Sequence, residues 1–292
     1  MIAGISALKA ILPPDPLVLD VGACKGEFTA ALLEAIPKAE AILFEPTKTN
    51  ARKLLERFHD NPRVKILECA LGNLEGEGVF NRYAESETNS LLNLLSATSV
   101  SEQDYVRVET IDGLLRRNVS IGKLDLIKID TQGTDLRVLK GAEKAIEQHH
   151  PVIFTEAIFI ALYHEQDSYF DLFGFMNRHR YRLTGFFNAH CTRDRTLAFA
   201  DFLFVSEAMS RRLGLSNMPD DFVCVDPEYL KQENDMLKAT CEERLALIHR
   251  LTDAAEERLR LIHRLTETAA ERLKVIERLE SEVGRLTQSK QN

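Results

Sequence analysis

Leu17-Val18-Leu19-Asp20-Val21-Gly22-Ala23-Cys24-Lys25-Gly26 is the stretch on which the fold turns. Its first five residues are apolar except for one acid, which is the signature of a buried strand, and Gly22 ends the run. Phe28 to Ile36 follows as a helix stopped by Pro37. Glycines at such a turn let the backbone bend sharply and approach a ligand without a Cβ. In an open α/β sheet that ligand lies beyond the carboxyl ends of the strands, at the switch point of strand order. The spacing is G-x-x-x-G, which is neither the dinucleotide pattern nor a phosphate loop. An acid before the loop and no phosphate cradle fit a cationic, phosphate-free nucleoside, and S-adenosylmethionine is such a ligand.

Working outward, Ala41–Phe44 is a second strand closed by Glu45-Pro46, and residues 49–58 form an amphipathic helix. Residues 64–68 are a third strand. Residues 72–105 read as irregular, with hairpin-like pieces around 79–83, and 106–108 as a short extra strand. A fourth core strand over 124–129 leads into a helix over 135–148, and 152–155 is a fifth strand. A helix over 167–179 and strands over 181–187 and 201–205 complete the domain, the last two as a hairpin at an antiparallel edge. Strands alternating with helices predict a mostly parallel sheet covered on both faces.

Three strand ends each offer a piece of a nucleoside site. Asp20 closes the first. Glu45, 25 residues later, closes the second, where a carboxylate can accept both ribose hydroxyls. Cys69-Ala70-Leu71-Gly72-Asn73 follows the third and offers small, apolar surface for an adenine ring.

Beyond residue 208 the pattern changes. Residues 209–230, with Gly214, Pro219 and Pro227, read as a linker. Residues 242–255 and 256–269 match at 11 of 14 positions, and 270–283 is a diverged third copy. Fourteen residues are two heptads, so 231–290 is expected to be a coiled coil that assembles copies of the chain. With Ile248 at position a, ten of the 12 a and d positions are apolar; Arg258 and Arg272 are the exceptions, both at d. The net charge of −8 falls wholly before this tail, because residues 231–292 hold 12 basic and 12 acidic residues. An acidic globular part argues against nucleic-acid binding, which draws on a basic face. Five scattered cysteines, no apolar run of membrane-spanning length and no signal-peptide pattern in 1–16 point to a cytoplasmic protein with reduced thiols and no metal site.

These residues carry a resemblance. LDVGACKGEFT (19–29), LFEP (43–46), ECALGN (68–73), NSLL (89–92), VETIDGLL (108–115), LIKIDTQGTDLRVLKGA (126–142), the long region 152–173 and ADFLFV (200–205) resemble the FkbM family of methyltransferases, in family order over about 17–208. The resemblance implies a Rossmann-like class I methyltransferase fold, with a mostly parallel seven-stranded sheet and an antiparallel edge strand, carrying the coiled coil behind it. It implies S-adenosylmethionine as cofactor and methylation of a hydroxyl on a sugar, polysaccharide or small molecule. Asp20, Gly22, Ala23 and Gly26 would then line the methionine end. Glu45 would hold the ribose with Pro46 beside it, and Ala70 and Leu71 would border the adenine. Asn89 and Ser90 would sit on a loop over the cofactor, and Asp130 would face the methyl group. Cys24 stands where His or another polar residue is frequent in the family, and Asn89 where Ser is.

Methyl transfer is an in-line displacement governed by alignment, and a hydroxyl acceptor benefits from a base. Asp130, Glu156 and His164, all at or after strand ends, are the candidate bases. An arginine at position 22 is expected to occupy the cofactor's space. The rival reading is an inactive methyltransferase-like scaffold that recruits partners through its tail. A tail spacing the domain from membrane-bound glycan machinery is a narrower expectation.

Overall fold

The computed structural model describes residues 4–83, 88–95, 100–117 and 122–213, together with Arg258 and Arg272, which are helical and exposed. The chain divides into two units, Met1–Ser216 and Asn217–Asn292. The expected coiled coil over 231–290 lies outside the described residues apart from those two arginines, as does nearly all of the 209–230 linker.

The first unit is built on strands β1 (Leu17–Val21), β2 (Glu40–Phe44), β3 (Val64–Leu67), β7 (Leu126–Ile129), β8 (Val152–Ile158), β9 (Tyr181–Cys191) and β10 (Leu197–Ser206). They form one sheet in the order β3-β2-β1-β7-β8-β10-β9. The pairings from β3 through β8 are parallel. β10 runs antiparallel to both β8 and β9, so the expected hairpin closes this end with its reversed strand tucked inside. The switch in strand order falls between β1 and β7, where the glycine loop leaves β1. This is the Rossmann-like class I methyltransferase arrangement.

A parallel sheet buries both faces, so its strands must be apolar on both. Leu19 and Val21 of β1 enter one core with Ile127, Ile129 and Ile153, under α4 (Ile111–Arg116), α5 (Asp135–Lys140), α6 (Glu143–His149) and α7 (Tyr169–Arg178). Val18 enters the opposite core with Leu43, Leu126 and Phe154, under α1 (Ile5–Ile11), α2 (Glu27–Ala35), α3 (Lys48–Arg57) and α8 (Glu207–Arg212). The helix α1 lies in the segment that the sequence left unassigned, and it buries Ile5 and Leu8.

Two further elements differ from expectation. The helix expected over 135–148 is two helices, broken at Gly141-Ala142. A Cβ at Gly141 would lie 2.0 Å from the Gly72 carbonyl oxygen, so the break lets two backbones touch. The irregular region holds a second sheet, β4 (Ala70–Leu71), β6 (Glu102–Glu109) and β5 (Gly76–Arg82), with β6 eight residues long instead of three. One of its faces is solvated, so polar residues such as Gln103 and Arg107 hide its strand pattern.

Candidate active site

A cavity of about 830 Å³ opens at the carboxyl ends of β1, β2, β7 and β8 and is roofed by residues 88–94. Of the residues singled out from the sequence, Gly22, Glu45, Pro46, Ala70, Leu71, Asn89, Asp130 and Glu156 line it. Asp20, Ala23, Gly26, Ser90 and His164 do not.

Asp20 is turned away by the alternation of its own strand. Leu19 and Val21 face one side, so Asp20 faces the other, with none of its surface exposed. Thr29 Oγ1 donates to its Oδ2 at 2.6 Å. Its Oδ1 accepts no hydrogen bond of good geometry and is held by the charge of Lys128 Nζ at 3.1 Å. The two residues are register partners on β1 and β7. Lys128 also donates to the Gly22 carbonyl at 3.1 Å. Burial pushes the Lys128 ammonium down, but the charges of Asp20, Asp130 and Asp201 outweigh it and hold its pKa above the usual lysine value. Asp20 thus anchors the loop from beneath instead of touching a ligand.

The loop itself is pinned by backbone. Gly22 and Ala23 N–H both donate to the Phe44 carbonyl, at 3.0 and 3.1 Å. Gly22 has φ +74°, and a Cβ there would lie 1.9 Å from the Asp130 carbonyl oxygen. The expected effect of an arginine at 22 therefore needs correcting. Its Cβ collides with the β7 end before its side chain reaches any ligand. Gly26 also has positive φ, but its missing Cβ makes room for Phe58 and Leu54. Ala23 is buried in the core beside α2.

Glu45 is nearly buried, and its carboxylate is already engaged. Oε2 accepts from Cys24 N–H at 3.0 Å, and Oε1 from Thr47 N–H and Oγ1 at 3.0 and 2.6 Å. Burial pushes its pKa up, while these hydrogen bonds and one from Asn50 pull it down. Donors from Cys24, Thr47 and Asn50 thus hold the carboxylate in one orientation at the cavity wall. Cys24 and Asn50 line the cavity beside it, and Phe44, Cys69, Ala70, Leu71 and Phe80 give an apolar slot.

At the other end Asp130 and Glu156 meet through Gln132. Its Nε2 donates to Asp130 Oδ1 at 2.8 Å and to Glu156 Oε2 at 3.2 Å, and its Oε1 accepts from Tyr163 OH at 2.8 Å. Because a carboxylate can only accept, Asp130 and Glu156 fix the NH2 end of the amide and leave its oxygen for the Tyr163 hydroxyl. Burial, then the charges of Asp130, Asp135 and Asp201, raises Glu156 well above the ordinary carboxylate range, against Lys128. Asp135, behind the wall, accepts from Thr131 and Thr155 hydroxyls at 3.0 and 3.2 Å and is pushed up to about 7, first by burial and then by Asp130.

His164 is exposed and contributes its backbone, donating N–H to the Asn93 carbonyl at 2.8 Å. Its neighbour Tyr163 faces the site instead. Ser90 is buried, and its hydroxyl donates to the Gln132 carbonyl at 2.7 Å, fastening the roof to the β7 loop. His190, stacked on Phe199 with ring centroids 4.5 Å apart, is the histidine that lines the cavity. Sequence reading missed Gln132, Tyr163, Lys128 and His190. Of these, Lys128 was marked by its charge inside a buried strand. Among the described residues no group of three or more His, Cys, Asp or Glu is placed to hold a metal, and no helix is long and apolar enough to cross a membrane.

The family model described as Methyltransferase FkbM domain matches residues 20–183. The chain belongs to the FkbM methyltransferase family. The 2-O-methyltransferase NoeI of Sinorhizobium fredii is 25% identical over 155 residues, covering 49% of this chain and 63% of NoeI. The AMB antimetabolite synthetase AmbE of Pseudomonas aeruginosa is 30% identical over 172 residues, covering 46% of this chain and 8% of AmbE. The chain thus spans less than two thirds of either relative. Among solved structures, the methyltransferase FkbM from Methylobacillus flagellatus is 23% identical with a TM-score of 0.43, over 65% of this chain and 44% of that one.

The FkbM domain's methyl donor is S-adenosylmethionine. The cavity fits it: among the described residues three carboxylates and no Lys or Arg line the walls, which suits a sulfonium nucleoside and repels a dinucleotide's phosphates. Glu45 would hold the ribose, the slot of Ala70 and Leu71 the adenine, and the Gly22 turn would border the methionine end.

Proposed function

We propose that this FkbM methyltransferase methylates a hydroxyl oxygen of a sugar or similar polyhydroxylated compound, with Glu156 as the proton acceptor. The observation that carries the reading is the Asp130–Gln132–Glu156 bridge inside the cavity. When bound, S-adenosylmethionine supplies the electrophilic methyl group and departs as a neutral thioether. The new bond is C–O, the broken one is C–S, and the hydroxyl proton needs a destination. Glu156 offers a basic one, because a carboxylate with a raised pKa is a stronger base than an ordinary one. Gln132, held by Tyr163, keeps the Glu156 carboxylate aimed. Asp130, at the end of β7, orients the acceptor from the other side. The name of NoeI supports oxygen as the target by likeness alone.

The test is Glu156→Gln, assayed with labelled S-adenosylmethionine against a panel of sugars and polyols. The turnover number is expected to fall about 10²–10⁴-fold, with S-adenosylhomocysteine binding unchanged. In the wild type, turnover should rise with pH as Glu156 loses its proton, with a midpoint above the ordinary carboxylate range, and the variant should lack that limb. A variant with wild-type turnover removes Glu156 as the base.

A further inference from the structure

We infer that the acceptor is non-anionic around the methylated hydroxyl, with no phosphate or carboxylate beside it, and that an amino group there strengthens binding. This rests on the hydroxyl-directed reading above and narrows its substrate class. Among the described residues the cavity walls carry Glu45, Asp130 and Glu156 and not one Lys or Arg. Asp201 pairs in register with Glu156 across β10 and β8, adding a further acid beside it. The one cation within reach among the described residues is spent, since Lys128 Nζ is bound to Asp20 and to the Gly22 carbonyl.

The pattern extends along the chain. No Lys or Arg occurs between Arg82 and Arg107, or between Lys144 and Arg178. Those two stretches supply Asn89, Leu91, Leu94, Glu156, Leu162 and Tyr163 to the walls. The arginines that flank the first stretch and face the second are paired elsewhere, Arg82 with Glu102 and Arg137 with Asp167. Arg193 and Arg195 lie on the exposed turn after His190 and are not in the wall.

An anion entering this cavity meets like charges whose one buried counter-charge, Lys128, is already shared between Asp20 and Asp130, and burial weakens the screening that salt gives at a surface. An ammonium group meets Asp130 and Glu156, and the rings of Tyr163 and Phe199 offer it aromatic faces. The stacked His190–Phe199 pair gives the same end a flat platform suited to a sugar ring.

The experiment uses the full chain saturated with S-adenosylhomocysteine and two matched pairs of probes: glucosamine against glucosamine 6-phosphate, and glucose against glucuronate. Binding is read by titration calorimetry or saturation-transfer NMR. The non-anionic member of each pair should bind at least about tenfold more tightly, with glucosamine ahead of glucose, since a charge pair displaced or gained is worth that much. In Asp130→Asn the preference should shrink while S-adenosylhomocysteine still binds. An anionic member that binds equally or better overturns the inference. So does a preference that survives Asp130→Asn and high salt unchanged, because shape would then be its cause. Absence of binding by every probe at high millimolar concentration overturns it too. Methyl transfer with labelled cofactor separates this inference from the reading beneath it. A methyl group found on the glucosamine nitrogen breaks the hydroxyl reading and leaves the charge preference standing.

Discussion

The two ends of the cavity use the same kinds of residue in opposite ways. At the β1–β2 end every acid is compensated. Asp20 has Thr29 and Lys128, and Glu45 has Cys24 and Thr47. The loop between them is clamped to the Phe44 carbonyl. At the β7–β8–β10 end, Asp130, Asp135, Glu156 and Asp201 crowd together, and a single amide serves two of them. The first end is preorganised for a ligand that never varies, with its polar groups fixed before binding. The second concentrates electrostatic stress, which is how carboxylates acquire raised pKa values. Lys128 joins the ends, since it sits between Asp20 and Asp130 and is the buried cation that both share.

The largest effect is expected from breaking the quiet end at its tightest contact. Gly22→Arg must place a Cβ 1.9 Å from a backbone oxygen at φ +74°. Neither the carbonyl nor the strand behind it can yield, so the loss should exceed about 4 kcal/mol. Thermal unfolding should show a large fall, with S-adenosylhomocysteine binding lost in whatever folds. Retained stability with binding alone abolished would instead place the side chain in the ligand's space.

Cutting the link between the ends comes next. Lys128→Met leaves Asp20 fully buried beside no cation, which typically costs about 3–5 kcal/mol. Adding Asp20→Asn should restore most of the stability in urea denaturation, because the orphaned charge goes with it. A single variant as stable as the wild type would mean that Thr29 alone satisfies Asp20.

Much of this was legible in the sequence, and the reasons it stopped are local. The core strands followed from apolar runs, their order in the sheet did not, and Glu45, Asp130 and Glu156 were found because strand ends in such a sheet face the ligand. The orientation of Asp20 was also written in its strand: period two sets Val18 and Asp20 against Leu19 and Val21. The placement of Gln132 and Tyr163 was not, since they lie 31 residues apart and gain meaning only when a loop brings them to hydrogen-bond distance. His164 against Tyr163 was a choice between adjacent loop residues, where no periodicity says which one turns inward. The break at Gly141 depends on Gly72, a neighbour that only the folded chain supplies.

The smallest expected effect tests whether the crowded end is stressed at all, and it does so away from the cavity wall. Asp135 is buried, with its ordinary value near 3.8 raised to about 7 in the folded chain. In the unfolded chain it loses its proton near the ordinary value. Below about 4 both states are protonated, and the neutral buried form contributes its full stability. Between about 4 and about 7 only the unfolded state gives up its proton, so the contribution falls as pH rises and is gone once the folded state titrates near 7. Asparagine is nearly isosteric, never charges, and can still bond the Thr131 and Thr155 hydroxyls, accepting from one and donating to the other. Asp135→Asn should therefore differ little from the wild type in urea at pH 5 and gain roughly 1–3 kcal/mol at pH 8. A difference that does not grow with pH would mean that Asp135 is charged throughout and that Thr131 and Thr155 suffice to hold it. The contrast between the two ends would then rest on Glu156 alone.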